Sequence, residues 1–314
     1  MAQSPTYEGR RYARPGEDLE DQGLGFDLGT MLRRRQLLRV AGLGAAVAGL
    51  TAACGSDTGT DTGAGGTPAS SAATASTGEI PDETAGPYPG DGSNGPNVLT
   101  DSGVVRGDIR SSFGTATGTA QGVPMTLELT IVDLARNAPF AGAAVYVWHC
   151  DREGRYSLYS DGVTDQNYLR GVQLADAQGK VTFTSVFPAC YAGRWPHVHF
   201  EVYPDRTSIT DATKAVATSQ VALPKDACDT VYATTGYAAS VRNLAQVTLS
   251  GDNVFGNDGG TLQLGTTTGD ATRGYTVALT AKVDTRTTPT AGGAGPGGPG
   301  GPGGAPPSGM PPRR

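Results

Sequence analysis

Between Met125 and Val283 the chain is a succession of short apolar runs separated by turn residues, which leaves room for little but a β-fold. The runs are MTLELTIVD from Met125, AAVYVWHCD from Ala143, KVTFTSVF from Lys180, HVHFEVY from His197, TSQVALP from Thr218, AQVTLS from Ala245, TLQLG from Thr261 and GYTVALTAKV from Gly274. They are rich in Val, Thr and aromatic residues, and Gly, Asn and Asp clusters lie between them. The pattern predicts an all-β, antiparallel β-sandwich. Only SITDATKAVAT and the region from Asp226 to Arg242 suit short helices, so an alternating α/β fold is not supported.

The ends are of a different kind. Residues 1–30 are polar without a periodic apolar face and are expected to be disordered, or not translated if Met31 is the start. Residues 31–54 have the layout of an export signal: RRRQLLR from Arg33 to Arg39, then VAGLGAAVAGLTAA, too short to anchor in a bilayer. The adjacent arginines suggest Tat-type export. LTAAC resembles a lipobox in which Cys54 is lipidated and tethers the protein to a membrane, although Leu50 stands four residues before the cysteine; cleavage at an A-x-A-like site is the competing reading. The product would be a cell-surface lipoprotein or a secreted protein. Residues 55–84 read as a flexible Ser/Thr/Gly tether and residues 287–314 as a disordered Gly/Pro-rich tail, leaving one domain over residues 85–286.

A net charge of −6 and a pI near 5.1, without a basic stripe, argue against a nucleic-acid partner and for a small ligand. None of the four cysteines makes a C-x-x-C pair. Apart from Cys54, Cys150, Cys190 and Cys228 allow at most one disulfide and one free thiol, and export would make one bridge plausible.

Two of the three histidines, His197 and His199, lie in HVHFEV. On a strand both imidazoles share one face, with Val198 and Phe200 on the other, which makes half of a metal site. A half-exposed polar face is the plainer reading of such a pair, but Tyr191, Arg194 and Trp195 crowd in just before it. In VWHCDREGRYSLYS, from Val147 to Ser160, DREGRY reads as a turn returning Tyr156 toward the sheet. NAPFAGAAVYVW with DREGRYSLY also matches the hairpin phrase of prealbumin-like or Cna B-like extracellular modules, in which Tyr156 would be purely structural.

Taken together, G-x-Y-S at Tyr156, F-P-x-x-Y at Tyr191 and G-R-x-x-H-x-H ending at His199 resemble the intradiol ring-cleavage dioxygenases, the family of catechol 1,2- and protocatechuate 3,4-dioxygenases. The resemblance runs from about Val104 to Val283 and is closest to the compact, exported branch. It implies a prealbumin-like sandwich and a mononuclear non-haem Fe(III) held by Tyr156, Tyr191, His197 and His199. Tyr191 and His197 would be axial, Tyr156 and His199 equatorial, with hydroxide in the fifth position. The implied reaction cleaves a catechol with O2 between its hydroxylated carbons, giving a muconate-type diacid. Arg194 would stabilise charge on the ring, Gln220 would lie near the iron, and Tyr191 would be displaced by substrate. Phenolates suit ferric iron, a hard acid, and ionising two tyrosines at neutral pH requires a strong local positive charge.

The helical dimerisation domain of catechol 1,2-dioxygenases has no counterpart in the sequence. No family role maps to His149, which reads as structural. A bridge among Cys150, Cys190 and Cys228 could brace the site. The alternatives are a non-catalytic sandwich module for binding, which has no reason to hold all five of Tyr156, Tyr191, Arg194, His197 and His199, and a zinc or copper site at HVH, which would not need two tyrosines. Which catechol is used cannot be read from the sequence.

Overall fold

The computed structural model describes residues 78–287 and 289, together with strand residues 6–7 and 10–11. The chain divides into two compact units, Met1–Ser71 and Ala72–Arg314. In the first, β1 (Thr6–Tyr7) pairs antiparallel with β2 (Arg10–Arg11), a short ladder within the stretch expected to lack structure. The readings of residues 31–54, of most of the tether and of the tail from residue 290 lie outside the described residues. Among the described residues, no helix is long and apolar enough to cross a membrane.

The second unit is a sandwich of two sheets. One has the order β10-β11-β3-β4, with β7 also on β3. The other has the order β6-β5-β8-β9. The first is built around β3 (Pro124–Asp133), whose sequence alternates strictly: Met125, Leu127, Leu129 and Ile131 point into the core, while Thr126, Glu128 and Thr130 point outward. The antiparallel partner β7 (Lys180–Val186) adds Val181 and Phe183. At the Asp176–Gly179 turn before β7, Gly179 takes a φ of +76°, and a Cβ there would strike the Ile131 carbonyl, so only glycine fits. The short β4 (Ala138–Pro139) closes that side, and β10 (Thr266–Asp270) pairs with β11 (Gly274–Val283).

One pairing departs from the antiparallel expectation. β11 runs parallel to β3, from Tyr275 opposite Met125 to Val283 opposite Asp133. A parallel neighbour needs a long crossover, and the chain between Asp133 and Gly274 supplies one, passing through the second sheet and, after Ala222, through two helices and a run of 3-10 turns. That excursion also absorbs two of the eight predicted strands. AQVTLS follows directly on α2 and runs into a 3-10 turn, and TLQLG makes only an isolated bridge from Leu264 to Ala222. Tertiary anchoring has overridden local β-propensity there. The helices α1 (Lys225–Tyr232) and α2 (Ala238–Leu244) fall where the sequence suggested them.

The second sheet consists of β6 (Arg170–Leu174), β5 (Ala144–Trp148), β8 (His197–Tyr203) and β9 (Ala217–Ala222). From it Val145, Val147, Val198, Phe200, Val202 and Val221 meet the inward residues of the first sheet. All seven residues of β8 are buried, although only alternate ones face this core. The other face is covered by loops that form a second apolar cluster, including Val98, Leu99, Trp148, Tyr156 and Ala189, with Ala85, Tyr88 and Tyr191 packed against it. Residues upstream of Ala85 also pack onto the sandwich. Ile80 is buried and donates its N–H to the Lys282 carbonyl, and Glu83 N–H donates to Thr218.

No disulfide links the remaining cysteines: Cys150, Cys190 and Cys228 are free, buried thiols, which corrects the expectation that one bridge braces the site.

Phe200 is fully buried between the sheets, on the strand face opposite the histidines. Phe200→Ala should cost about 3–5 kcal/mol of folding stability in a denaturant titration, and a loss below about 1 kcal/mol would contradict the packing described.

Candidate metal centre

Residues from four separate segments meet on the loop-covered face of β8. The strand's period of two sets His197 and His199 side by side, with their Nε2 atoms 3.0 Å apart. Register places His199 between Trp148 of β5 and Gln220 of β9. The Trp148 ring stacks on the His199 imidazole at 4.9 Å and 7°, which fixes its plane. His197 Nδ1 lies 2.5 Å from the Trp195 carbonyl, which can only accept, so Nδ1 carries the proton and Nε2 presents its lone pair to the site.

Tyr156 is delivered by the DREGR turn, as its sequence suggests. Buried Asp151 organises that turn, accepting from the N–H groups of Glu153 and Arg155, from the Arg155 guanidinium and from Tyr168 Oη. Tyr191 sits on the loop after β7. That loop is held by α2, whose Ser240 Oγ accepts from Cys190 N–H and whose Asn243 donates to the Cys190 carbonyl. Tyr191 Oη lies 3.2 Å from His197 Nε2, and the Tyr156 and Tyr191 rings meet edge-on at 6.0 Å.

This arrangement leaves polar valences unfilled. The single lone pair of His197 Nε2 faces both Tyr191 Oη and His199 Nε2 and cannot accept well from two donors. Tyr156 Oη and His199 Nδ1 are buried without any hydrogen-bond partner. Such orphans are rare in a folded interior and mark a place where something else binds. Electrostatics agree. Burial, then the neighbouring Tyr191, pushes the Tyr156 phenol far above its ordinary range, and burial pushes Tyr191 up to about 12. Burial lowers His197 to about 3 and His199 well below the usual imidazole value. The imidazoles are thus neutral ligands at physiological pH, and the phenols ionise only beside a strong cation. The four donors fit a small, hard cation. Among the described residues, no group of three or more His, Cys, Asp or Glu could hold a metal, so a zinc or copper site built on HVH has no further ligand of those types.

Arg194 is no surface residue. Its side chain is 14% exposed, its Nε donates to buried Asp252 at 2.9 Å, and its Nη2 donates to Gln220 Oε1 at 2.7 Å. Burial opposes the charge of Asp252, but Arg194 and the backbone N–H groups outweigh it and hold the carboxyl below its ordinary range. Gln220 therefore belongs to the cluster, tied on its other side to the Thr84 carbonyl.

Three features escaped the sequence reading. Asp252 lies in GDNVF, which carries only a weak turn signal. The strap from Thr84 to Pro89 crosses the cluster: a Cβ on Gly86 would touch His199 Cε1 at 3.4 Å, and the Tyr88 ring packs on Tyr156 at 4.9 Å. Its G-P-Y-P turn residues were the available clue. Arg170, 1% exposed, clamps this strap by donating to the carbonyls of Tyr88, Pro89 and Ser157.

His149 lies apart from the cluster's hydrogen bonds. Its Nδ1–H donates to the Cys150 carbonyl, and its Nε2 accepts from Ser185 Oγ at 2.7 Å.

Comparison with known proteins agrees with this geometry. The family model described as Dioxygenase matches residues 95–206, which include Tyr156, Tyr191, Arg194, His197 and His199 but not Gln220 or Asp252. A chlorocatechol 1,2-dioxygenase of Pseudomonas sp. (strain P51) is 36% identical over 86 residues, 22% of this chain and 34% of that protein. One of Rhodococcus opacus is 38% identical over 53 residues, 17% of this chain and 21% of that protein. The chain thus spans 34% and 21% of the length of these two curated relatives. An intradiol ring-cleavage dioxygenase from Tetranychus urticae has the same fold, with a TM-score of 0.54 at 20% identity over 67% of this chain and 96% of that one. The two share a β-sandwich fold. Residues 95–206 thus match the dioxygenase family model, and the fold is similar to that of an intradiol ring-cleavage dioxygenase.

Burial lowers His149 to about 4. The unfolded chain takes up that proton near pH 6.5 and the folded protein only near 4, so stability present above 6.5 is lost as the pH falls through this window. The stability of His149→Gln relative to the native chain should therefore rise by roughly 3 kcal/mol between pH 6.5 and 4 in denaturant titrations. A difference that does not change with pH would refute a buried neutral His149.

Proposed function

We propose that this protein is a dioxygenase that holds a mononuclear non-haem Fe(III) through Tyr156, Tyr191, His197 and His199 and opens a catechol ring between its two hydroxylated carbons. The observation that carries this reading is the meeting of two phenols and two neutral imidazoles in a buried cluster that leaves Tyr156 Oη without a partner. The match of residues 95–206 to the dioxygenase family model supports it as well. When bound, the ferric ion would supply the Lewis acidity that ionises the phenols and the catechol and makes the ring reactive toward O2.

The protein's residues divide the remaining work. Tyr156 is deeply buried and held by its turn, whereas Tyr191 is the less enclosed phenol and is followed by exposed Ala192 and Gly193. Tyr191 Oη is therefore the phenol placed to give way to substrate, and it takes up one catechol proton as it does so. The Trp195 carbonyl keeps His197 in the tautomer that ligates. Trp148 and the strap with Gly86 and Tyr88 keep water from the imidazole and phenol edges. The Arg194 guanidinium is a fixed positive charge beside the cluster, suited to a ring on which negative charge develops. Both atoms of O2 enter the diacid, so no external reductant is consumed. The sequence of residues 31–54 supports export with its Tat-type pattern, and a lipid on Cys54 would keep the enzyme at the cell surface.

Protein folded with iron should be burgundy, with a tyrosinate-to-Fe(III) band that shifts when a catechol is added. Full iron occupancy without colour would overturn the ligand assignment. Oxygen uptake with a panel of catechol, protocatechuate and hydroxyquinol would identify the substrate, and no uptake with any catechol would overturn the activity. Tyr156→Phe and His199→Ala should each lose iron or activity. Arg194→Ala should retain iron and colour but lose on the order of 10²–10³-fold in kcat; unchanged turnover would make Arg194 a structural residue.

A further inference from the structure

Resting on that reading, we propose that Asp252 is the positioning residue that sets Arg194 for the reaction. Asp252 is 3% exposed and stands at the end of a 3-10 turn remote in sequence from every ligand. Its Oδ1 accepts from the N–H groups of Val254 and Phe255, at 2.8 and 3.2 Å. Its Oδ2 accepts from Trp195 N–H at 2.7 Å and from Arg194 Nε at 2.9 Å. The carboxylate is thus locked by backbone before it meets the guanidinium, and it cannot follow the arginine if the arginine moves.

Gln220 completes the grip. Its Oε1 accepts from Arg194 Nη2, which also lies 3.4 Å from Asp252 Oδ1. With Nε and Nη2 engaged, Nη1 is the one guanidinium nitrogen with no hydrogen bond among the described residues, and the side chain keeps some exposure. Two N–H groups on a planar, pre-aligned fork are therefore left for a bound ring. A guanidinium held on two sides has no reorganisation to undergo as charge develops, which is the condition for electrostatic catalysis.

Asp252→Asn tests this assignment, since it keeps the side chain's shape while removing the charge opposite Arg194. In the iron-loaded full chain, oxygen-uptake kinetics should show kcat lowered by about 10²-fold, a smaller change in KM, and unaltered iron content and colour. In an Arg194→Ala background the same substitution should change kcat by less than about 3-fold, because Asp252 acts through the arginine. An equal loss in both backgrounds, loss of iron with kcat, or no loss at all would overturn the proposal.

A second measurement needs neither turnover nor the variant. In 15N-labelled full chain, loaded with diamagnetic Ga(III) or as purified, the Arg194 Nε–H should exchange slowly with solvent. Rapid exchange in the native protein would overturn the proposal whether or not Asp252→Asn folds. Native protein that cleaves no catechol yet protects this N–H would instead overturn the proposed activity and leave the anchoring intact.

Discussion

The structure depends on one strand being buried on both sides. β8 turns Val198, Phe200 and Val202 into the space between the sheets and His197 and His199 the other way, and neither face is left to water. Burying two imidazoles is costly unless they have partners. The loop bearing Tyr191, Arg194 and Trp195 supplies His197 with the Tyr191 hydroxyl and the Trp195 carbonyl, and the Tyr156 loop and the upstream strap add cover, while His199 keeps an unfilled valence. Viewed this way, the loop-rich half of the domain is a second core built around polar groups, and the sandwich beneath it is the rigid surface against which that core is assembled.

Much of this was legible in the residues. The alternation of MTLELTIVD and HVHFEVY gives the strands and their faces, and the spacing of Tyr191 from His197 is short enough to bring them together by local chain geometry. Tyr156 was legible because DREGRY is a turn phrase after a strand. The parallel pairing of β11 with β3 was not, because strand direction depends on the length and route of the crossover and leaves no mark on the strand's own pattern. Nor were the folded-out runs at Ala245 and Thr261, whose apolar residues look like strand but whose backbone is claimed by turns.

The cysteines show the same limit from another side. Counting three thiols allows a bridge, and export makes one plausible, but pairing is decided by Cα separation and side-chain direction, which composition does not carry. Each thiol instead finds a backbone acceptor or apolar neighbours, and burial pushes Cys150, Cys190 and Cys228 well above the ordinary thiol range, which keeps them un-ionised and poorly reactive. Packing and the hydrogen bonds to Ser240 and Asn243 brace the Tyr191 loop.

The clamp of Arg170 on the carbonyls of Tyr88 and Pro89 bears on timing as well as shape. The strap it holds precedes every strand of the sandwich in sequence, yet it lies over groups contributed by strands and loops made much later. The cluster is therefore complete only once this early-made segment has docked on later-made ones. Local opening of the strap would uncover the His199 and Tyr156 side of the cluster, so the protection of that side would follow the stability of this clamp.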